Sequence, residues 1–392
     1  MQVQEERAAA AAAVEVPVRI ACLQLEPVFK NPAESIKRAD RLLDRLEPGS
    51  IDLLVLPEMA FTGYCFKDRE DIAPYVEEVP AGKTSKWAMR TARKFGCYIQ
   101  VGVPTLEPLR SSPDDNDNDK HGGRLPRDGP TVQDLYYNST VLVDPRGRVK
   151  LVYHKRFLFE TDQTWATPGD GFVSINLSFP ASSTTTTTTT TKDTTTTTTY
   201  EVRYSPAICM DLNAEAFDSR LEKFEYSNFV KRRGVGLVVA SNAWLDSDES
   251  RGQALDDGRG RGGVKPSDAN DPDATKMRDT LGQAAAAAAA TDDDAEGEEA
   301  DERTSWEQAR GLISYWVYRM STNLEDDDDD GRRARSPGLA FVVCNRIGTE
   351  GDAVFAGSSC AIQLGPRPTV VKHASKKKEE IVLARVSVRV AE

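Results

Sequence analysis

Three side chains able to share a proton and attack a carbonyl stand where apolar runs stop. Glu58 directly follows Leu-Val-Leu-Pro, Lys155 ends the run Val-Lys-Leu-Val-Tyr-His-Lys, and Cys209 follows Ser-Pro-Ala-Ile and precedes Met-Asp-Leu-Asn. A carboxylate at the mouth of a site is raised by partial burial into the range of a general base. An ammonium at a strand end stabilises a developing oxyanion and favours a neighbouring thiolate. A thiol at a strand-to-helix turn has the geometry of a nucleophile elbow. Singly, each fits a bland role: a loop glutamate, a solvated lysine, a small buried hydrophobe.

The elements that must carry these groups are legible around them. Val18–Leu25 reads as a strand, and a helix is expected from Pro32 to Leu46, with Asn31 as N-cap and Gly49 closing it. Ile36, Ala39, Leu42, Leu43 and Leu46 make its apolar face. Ile51–Leu56 reads as a buried strand, Lys83–Phe95 as a helix and Cys97–Val103 as a further strand. Leu135–Val143 and Val149–His154 form a hairpin around Asp144-Pro145-Arg146-Gly147. Tyr200–Ile208 leads as a strand into Cys209, a helix is expected from Ala214 to Val230, and Val235–Ser241 is another buried strand. Thr304-x-x-Glu307 reads as a capping box opening a helix, and the chain from Gly338 alternates like antiparallel strands. Strands mixed with helices, and hairpins with crossovers, give an α/β layered fold.

The 392 residues carry a net charge of −12, which argues against nonspecific nucleic-acid or anionic-membrane binding. That charge is unevenly placed. Residues 246–303 carry −10, 324–335 carry −3 and 111–130 carry −2, which leaves +3 for the rest of the chain. Residues 181–199 are nearly all Ser and Thr. These four tracts are too polar to offset their ordering entropy, so they are expected to be disordered insertions. With a disordered Ala/Glu-rich stretch at 1–17, the expectation is one domain over 18–392, threaded through four interruptions. Six scattered cysteines without a C-x-x-C pair indicate a reducing compartment. Three histidines make a multi-histidine metal site improbable. Glu5, Glu6 and Glu15 do not fit a secretory signal and fit a mitochondrial presequence badly, so cytosol or nucleus is the expected compartment, with mitochondria left open. No apolar run reaches the roughly 18–20 residues that span a membrane.

Three strings occur in order on successive strand ends: LVLPEMAFTGY (54–64), YHKRFLFETD (153–162) and AICMDLN (207–213). They resemble the signature segments of the nitrilase, or carbon–nitrogen hydrolase, superfamily. VRIACLQLEP at the start, GVP at 102–104 and SNAW at 241–244 add to the likeness. KRFLFETDQTW (155–165) and FDSRLEKFEYSNF (217–229) also resemble the fungal protein N-terminal asparagine/glutamine amidohydrolases. The resemblance implies an α-β-β-α sandwich with a Glu58/Lys155/Cys209 triad and no metal or organic cofactor. It further implies deamidation of N-terminal Asn or Gln on proteins or peptides, feeding the N-degron pathway. Many superfamily members carry a second glutamate after the lysine. Here Glu160, Asp162 and Gln163 occupy that stretch, and Gln163 is the best-aligned position before Trp165.

The implied reaction starts with Glu58 taking the Cys209 proton, after which the thiolate attacks the carboxamide carbon. Lys155 and a backbone N–H near Met210 hold the oxyanion, ammonia leaves with the proton from Glu58, and water cleaves the thioester. The substrate α-ammonium needs a negative or carbonyl-rich partner, for which Asp162, Asp211 and Glu215 are candidates. Asp211 equally suits a structural role beside the nucleophile. Tyr64 and Trp244 are candidate pocket walls or core residues, and Asn213 either bonds the peptide or caps a helix. One rival keeps the chemistry and acts on free metabolites, as an ω-amidase or carbamoyl-amine hydrolase. Another is an inactive peptide-binding scaffold, and a third is a Cys-His protease built on Cys209 and His154.

Overall fold

The computed structural model describes residues 14–108, 134–189, 192–215, 223–246, 296–323, 339–365 and 367–391. In chain order, β1 (Glu15–Gln24) is followed by α1 (Pro32–Leu43), β2 (Leu53–Val55), the short α2 (Arg69–Ile72), α3 (Lys83–Phe95) and β3 (Tyr98–Glu107). Next come β4 (Leu135–Val143), β5 (Val149–His154), the one-turn α4 (Glu160–Gln163), β6 (Ile175–Thr189) and β7 (Lys192–Ile208). Then follow α5 (Glu225–Arg232), β8 (Leu237–Asn242), α6 (Glu296–Arg319) and β9 (Leu339–Asn345). A small β10 (Thr349–Glu350) and β11 (Ala353–Val354) pair precedes β12 (Cys360–Leu364), β13 (Thr369–His373) and β14 (Glu380–Arg389).

Two six-stranded sheets result, ordered β14-β1-β2-β3-β4-β5 and β13-β12-β9-β8-β7-β6. Each has a parallel centre, β1-β2-β3 in one and β7-β8-β9 in the other, with antiparallel flanks. Period-2 alternation explains the layering. Along β1, Val18, Ile20 and Cys22 face the other sheet and meet Leu177, Tyr204, Val239 and Val342. Ala21 and Leu23 face outward onto α1 and α3, where Ala39, Leu43, Trp87 and Phe95 close a second core. On the far side β8 and β9 pack on α5 and α6 through Tyr226, Val230, Ile313 and Trp316. The layers are therefore helix, sheet, sheet, helix, as the resemblance implies.

Local signals place most element starts. Asn31 Oδ1 accepts the Glu34 N–H at 3.2 Å and Pro32 fills the first helical turn of α1. That helix stops at Leu43, three residues before its expected end. Arg45 and Leu46 tighten to i−3 hydrogen bonds, and Pro48 disfavours helix at the residue before it. The helix expected from Thr304 instead begins at Glu296, so Thr304 lies inside it and not at its start. Glu298, Glu299 and Ala300 are good helix formers, and the acids suit a helix N-terminus. After Cys209 the described residues form a 3₁₀ turn, Cys209–Leu212, and the next described helix is Glu225–Arg232; residues 216–222 of the helix expected from Ala214 to Val230 lie outside the described residues. The segment from Gly338 contributes a parallel strand, β9, before its antiparallel ones.

Of the four tracts expected as disordered insertions, 111–130 and 324–335 lie outside the described residues, as does most of 246–303. The 181–199 tract differs from that expectation. Its backbone extends the β6–β7 hairpin, with Thr184 opposite Thr197 and Thr189 opposite Lys192. Threonine is β-branched and favours extended backbone. Among the described residues no helix is long and apolar enough to cross a membrane.

Candidate active site

The C-terminal ends of β2, β5, β7, β8 and β9 bring Glu58, Lys155, Cys209, Asn242 and Asn345 to one end of the two sheets. Open parallel sheets form crevices at such ends. Glu58 leaves β2 over Gly102 of β3, where a Cβ would stand 2.4 Å from Pro57 O and 2.5 Å from Glu58 Cα. Only glycine lets the backbone of the Glu58 turn approach so closely. Met59 next to it takes a positive φ of 51°.

Lys155 Nζ donates to Glu58 Oε1 at 2.6 Å and to Asp162 Oδ2 at 2.6 Å, with all three side chains fully buried. Asn138, from β4, donates through Nδ2 to Glu58 Oε1 at 2.7 Å and to Asp162 Oδ1 at 2.9 Å. The Ala243 N–H donates to Glu58 Oε2 at 2.7 Å and lies near enough to Cys209 to favour its thiolate. Asp162 is fixed in turn by the Phe159 N–H at 3.0 Å.

Cys209 sits at φ 42°, the left-handed region that a non-glycine residue enters only when its surroundings hold it there. Those surroundings are identifiable. Its N–H donates to Asn242 Oδ1 at 3.0 Å. Asp211, two residues on, accepts from the Ile208 N–H and the Tyr153 hydroxyl on Oδ2, and from the Arg156 and Phe157 N–H groups on Oδ1. One carboxylate thus ties the Cys209 turn to the chain just after Lys155. Asp211 has the structural role, and its oxygens are spent on it.

The electrostatics follow from burial and charge count. Burial raises Glu58 above its ordinary value, with Lys155 opposing and Asp162 adding to the rise. Burial alone would push the Lys155 ammonium down, but Asp162 and then Glu58 hold it above its usual value. Burial and then the Glu58 charge push the Cys209 thiol well up, against Lys155. One cation and two carboxylates disfavour a further anion, which favours the neutral thiol at rest. Passing its proton to Glu58 conserves the total charge, and Asp162 keeps Lys155 paired throughout.

The remaining sequence candidates have separate placements. The Tyr64 ring stands 5.7 Å from Lys155 Nζ and 6.1 Å edge-on from Phe355, beside the cluster. Trp244 packs with Phe172 and Val173 against the group of Tyr153, Ile208 and Cys209, backed by Tyr315 and Trp316. Asp162 is engaged with Lys155 and gives no free carboxylate. Asn213 is buried, accepts from the Tyr315 hydroxyl at 2.5 Å and ties its turn to α6. Glu215 is largely exposed and lies 3.9 Å from Arg156. Gln163 is exposed at the edge of α4 and touches none of the cluster, so Asp162 and not Gln163 is the carboxylate partner of Lys155. His154 points away, bonding Ser139 at 2.8 Å and Glu107 at 3.1 Å and stacking on Tyr137. Spacing along the chain does not mark Asn138, Asn242 or Asn345. Their signal is a polar residue inside or ending an otherwise apolar strand.

The chain is 27% identical over 377 residues to a protein N-terminal amidase of Schizosaccharomyces pombe, covering 92% of this chain and 96% of that one. In fold it resembles a crystal structure of an N-terminal amidase with an Asn-Glu-Ala peptide, at a TM-score of 0.66, 19% identity and coverage of 97% and 100% of the two chains. A crystal structure of an N-terminal amidase with a Gln-Val peptide gives a TM-score of 0.62 at 20% identity, over 96% and 99%. Residues 19–215, half of the chain and containing Glu58, Lys155 and Cys209, match the carbon–nitrogen hydrolase model, and the protein belongs to that family.

Proposed function

We propose that the protein hydrolyses the side-chain amide of an N-terminal Asn or Gln, giving Asp or Glu and ammonia. The observation carrying the chemistry is the buried contact of Lys155 with Glu58, beside a thiol held at a strained strand-end turn. The substrate class is supported by likeness to the fission-yeast N-terminal amidase over nearly the whole of both chains.

In this reading Glu58 accepts the Cys209 proton as sulfur attacks the carboxamide carbon, so no net charge enters the buried cluster. Lys155 and a backbone N–H near Met210 receive the oxyanion. Glu58 returns the proton to the departing ammonia, then takes one from the water that cleaves the thioester. Asp162 and Asn138 hold Lys155 and Glu58 in register throughout. Tyr64 and Trp244 wall the pocket. The products, peptides beginning with Asp or Glu, are the class of chain that N-degron recognition consumes.

The test is mass spectrometry of peptides beginning with Asn or Gln, incubated with wild type and with Cys209→Ala. Conversion of the first residue by wild type alone is expected, with internal and N-acetylated Asn untouched. Turnover of free amides without the peptides would overturn the substrate assignment, and full activity of Cys209→Ala would overturn the mechanism.

A further inference from the structure

We infer that Asn345, at the end of β9, is a positioning residue that fixes the Trp244 peptide units and so aims the Ala243 N–H between Glu58 and Cys209. This rests on Glu58 and Cys209 forming the reacting pair proposed above.

Residues 242–244, where β8 ends, touch the site at successive positions. Asn242 Oδ1 accepts from the Cys209 N–H, Ala243 N–H donates to Glu58 Oε2, and Trp244 flanks Cys209. Beyond Asn242 the β8–β9 ladder has no further pair, since Asn242 lies opposite Asn345 in the last one. Past that pair the exit is held by a backbone bond from the Ala356 N–H to Trp244 O at 2.9 Å and by the Asn345 side chain. Asn345 Oδ1 accepts the Trp244 N–H at 2.8 Å. Its Nδ2 donates to Trp244 O at 3.3 Å and to Gly357 O at 2.8 Å. The side chain is fully buried. An uncharged amide is suited to the place because it both accepts and donates from one planar group.

The consequence is electrostatic as well as geometric. An N–H donating to a carboxylate favours its charged form, and Ala243 supplies that bond to Glu58. The other groups facing Glu58 are Lys155 after β5, Asp162 on α4, Cys209 after β7, Tyr64 beyond β2 and the neutral Asn138 of β4. None of them bonds to the Asn345 side chain. Trp244 O would keep the Ala356 N–H if Asn345 were lost. The Trp244 N–H would lose its Asn345 acceptor, so the loop would move to rehydrate it and carry the Ala243 N–H away from Glu58.

The test compares Asn345→Ala with Ser359→Ala. Ser359 holds the Asn345 backbone through its N–H and C=O, and leaves the side chain alone. Iodoacetamide alkylation of Cys209 is followed against pH, which requires no substrate, alongside peptide turnover and Tm. Asn345→Ala is expected to slow Cys209 alkylation at neutral pH about tenfold and to move the acid limb up by about half a pH unit. Ser359→Ala is expected to lower Tm and leave that limb in place. Where Asn345→Ala is too unstable, Asn345→Thr fills most of the volume without matching both contacts and gives the same shift. Asn345 variants that lose Tm yet keep the wild-type limb and rate would overturn the inference. If wild type turns over no N-terminal amide while alkylation still depends on Asn345, the substrate reading fails and this one stands.

Discussion

The Lys155 ammonium and the Asp162 carboxylate lie 2.6 Å apart with both side chains wholly excluded from solvent. They are seven positions apart in the chain, at the end of β5 and inside the single turn of α4. Because Lys155 has this second anion, Glu58 can be protonated without leaving the ammonium buried and unpaired.

Asp162→Asn should therefore damage both fold and activity. Removing one member of a buried ion pair costs about 3–5 kcal/mol. A fall in kcat/KM of about 100-fold is expected as Lys155 loses its fixed position. Gln163→Ala, one residue along and exposed, should stay within about twofold of wild type because it packs on nothing in the cluster. Steady-state kinetics and thermal unfolding of the two variants measure the contrast. Equal losses in both would contradict the pairing.

The pH dependence follows from burial of Glu58. In the proposed mechanism the working form is the carboxylate, and its folded-state pKa is raised, chiefly by burial. Activity should accordingly fall as pH drops through a value above the ordinary 4.5, higher than an exposed carboxylate would give. Glu58→Gln should abolish turnover and slow Cys209 alkylation at least about tenfold. Cys65 offers an internal control, since burial and then Glu350 push its thiol up to about 12 and it should label slowly whatever Glu58 does. An acid limb at or below 4.5 would remove Glu58 from the role of base.

Gly102→Ala tests the close approach of two strand ends. The added Cβ would meet Pro57 O at 2.4 Å, Glu58 Cα at 2.5 Å and Met59 N at 2.6 Å, all backbone atoms that cannot swing aside. The expected result is a destabilisation of about 1–3 kcal/mol and a loss of activity exceeding tenfold, as Glu58 is displaced from Lys155. Chemical denaturation and kinetics read the two effects, and a variant with unchanged activity would show that Glu58 tolerates the shift.

Tyr153→Phe removes one of the four donors to Asp211 and leaves the ring in place. The lost buried hydrogen bond should cost about 1–2 kcal/mol, or about 2–6 °C in Tm. Activity should fall only a few-fold, because the three backbone N–H groups still hold Asp211. Calorimetry with peptide turnover checks it. A collapse in activity without a Tm change would mean that Tyr153 touches substrate rather than bracing the turn.

What could be read along the chain was what is encoded locally. The hairpin Leu135–Val143 with Val149–His154 and the helix Lys83–Phe95 have the bounds expected from alternation and helical spacing. Their signal lies within a dozen neighbouring residues. The helix expected from Thr304 starts at Glu296 because a capping pattern cannot stop helix formers on its N-terminal side from joining. The Thr tract at 181–199 shows the opposite failure. Its composition promises no core, yet the backbone of Thr184–Thr189 pairs with that of Lys192–Thr197.

By itself the sequence determined which reactive residue types end which strands, their order, and the mixture of strand and helix spacing that gives an α/β layered fold. It determined these because side-chain periodicity and strand-end polarity are properties of consecutive residues. Tertiary structure alone decided which of those groups meet. Asp162 rather than Gln163 takes Lys155, Asn138 bridges the two carboxylates, and Asp211 is consumed by four donors. The Glu58 carboxylate is held by an N–H 185 residues away, and the loop bearing that N–H is set by Asn345, about a hundred residues further on. Hydrogen bonds over such separations depend on sheet register and strand order, and no local spacing specifies either.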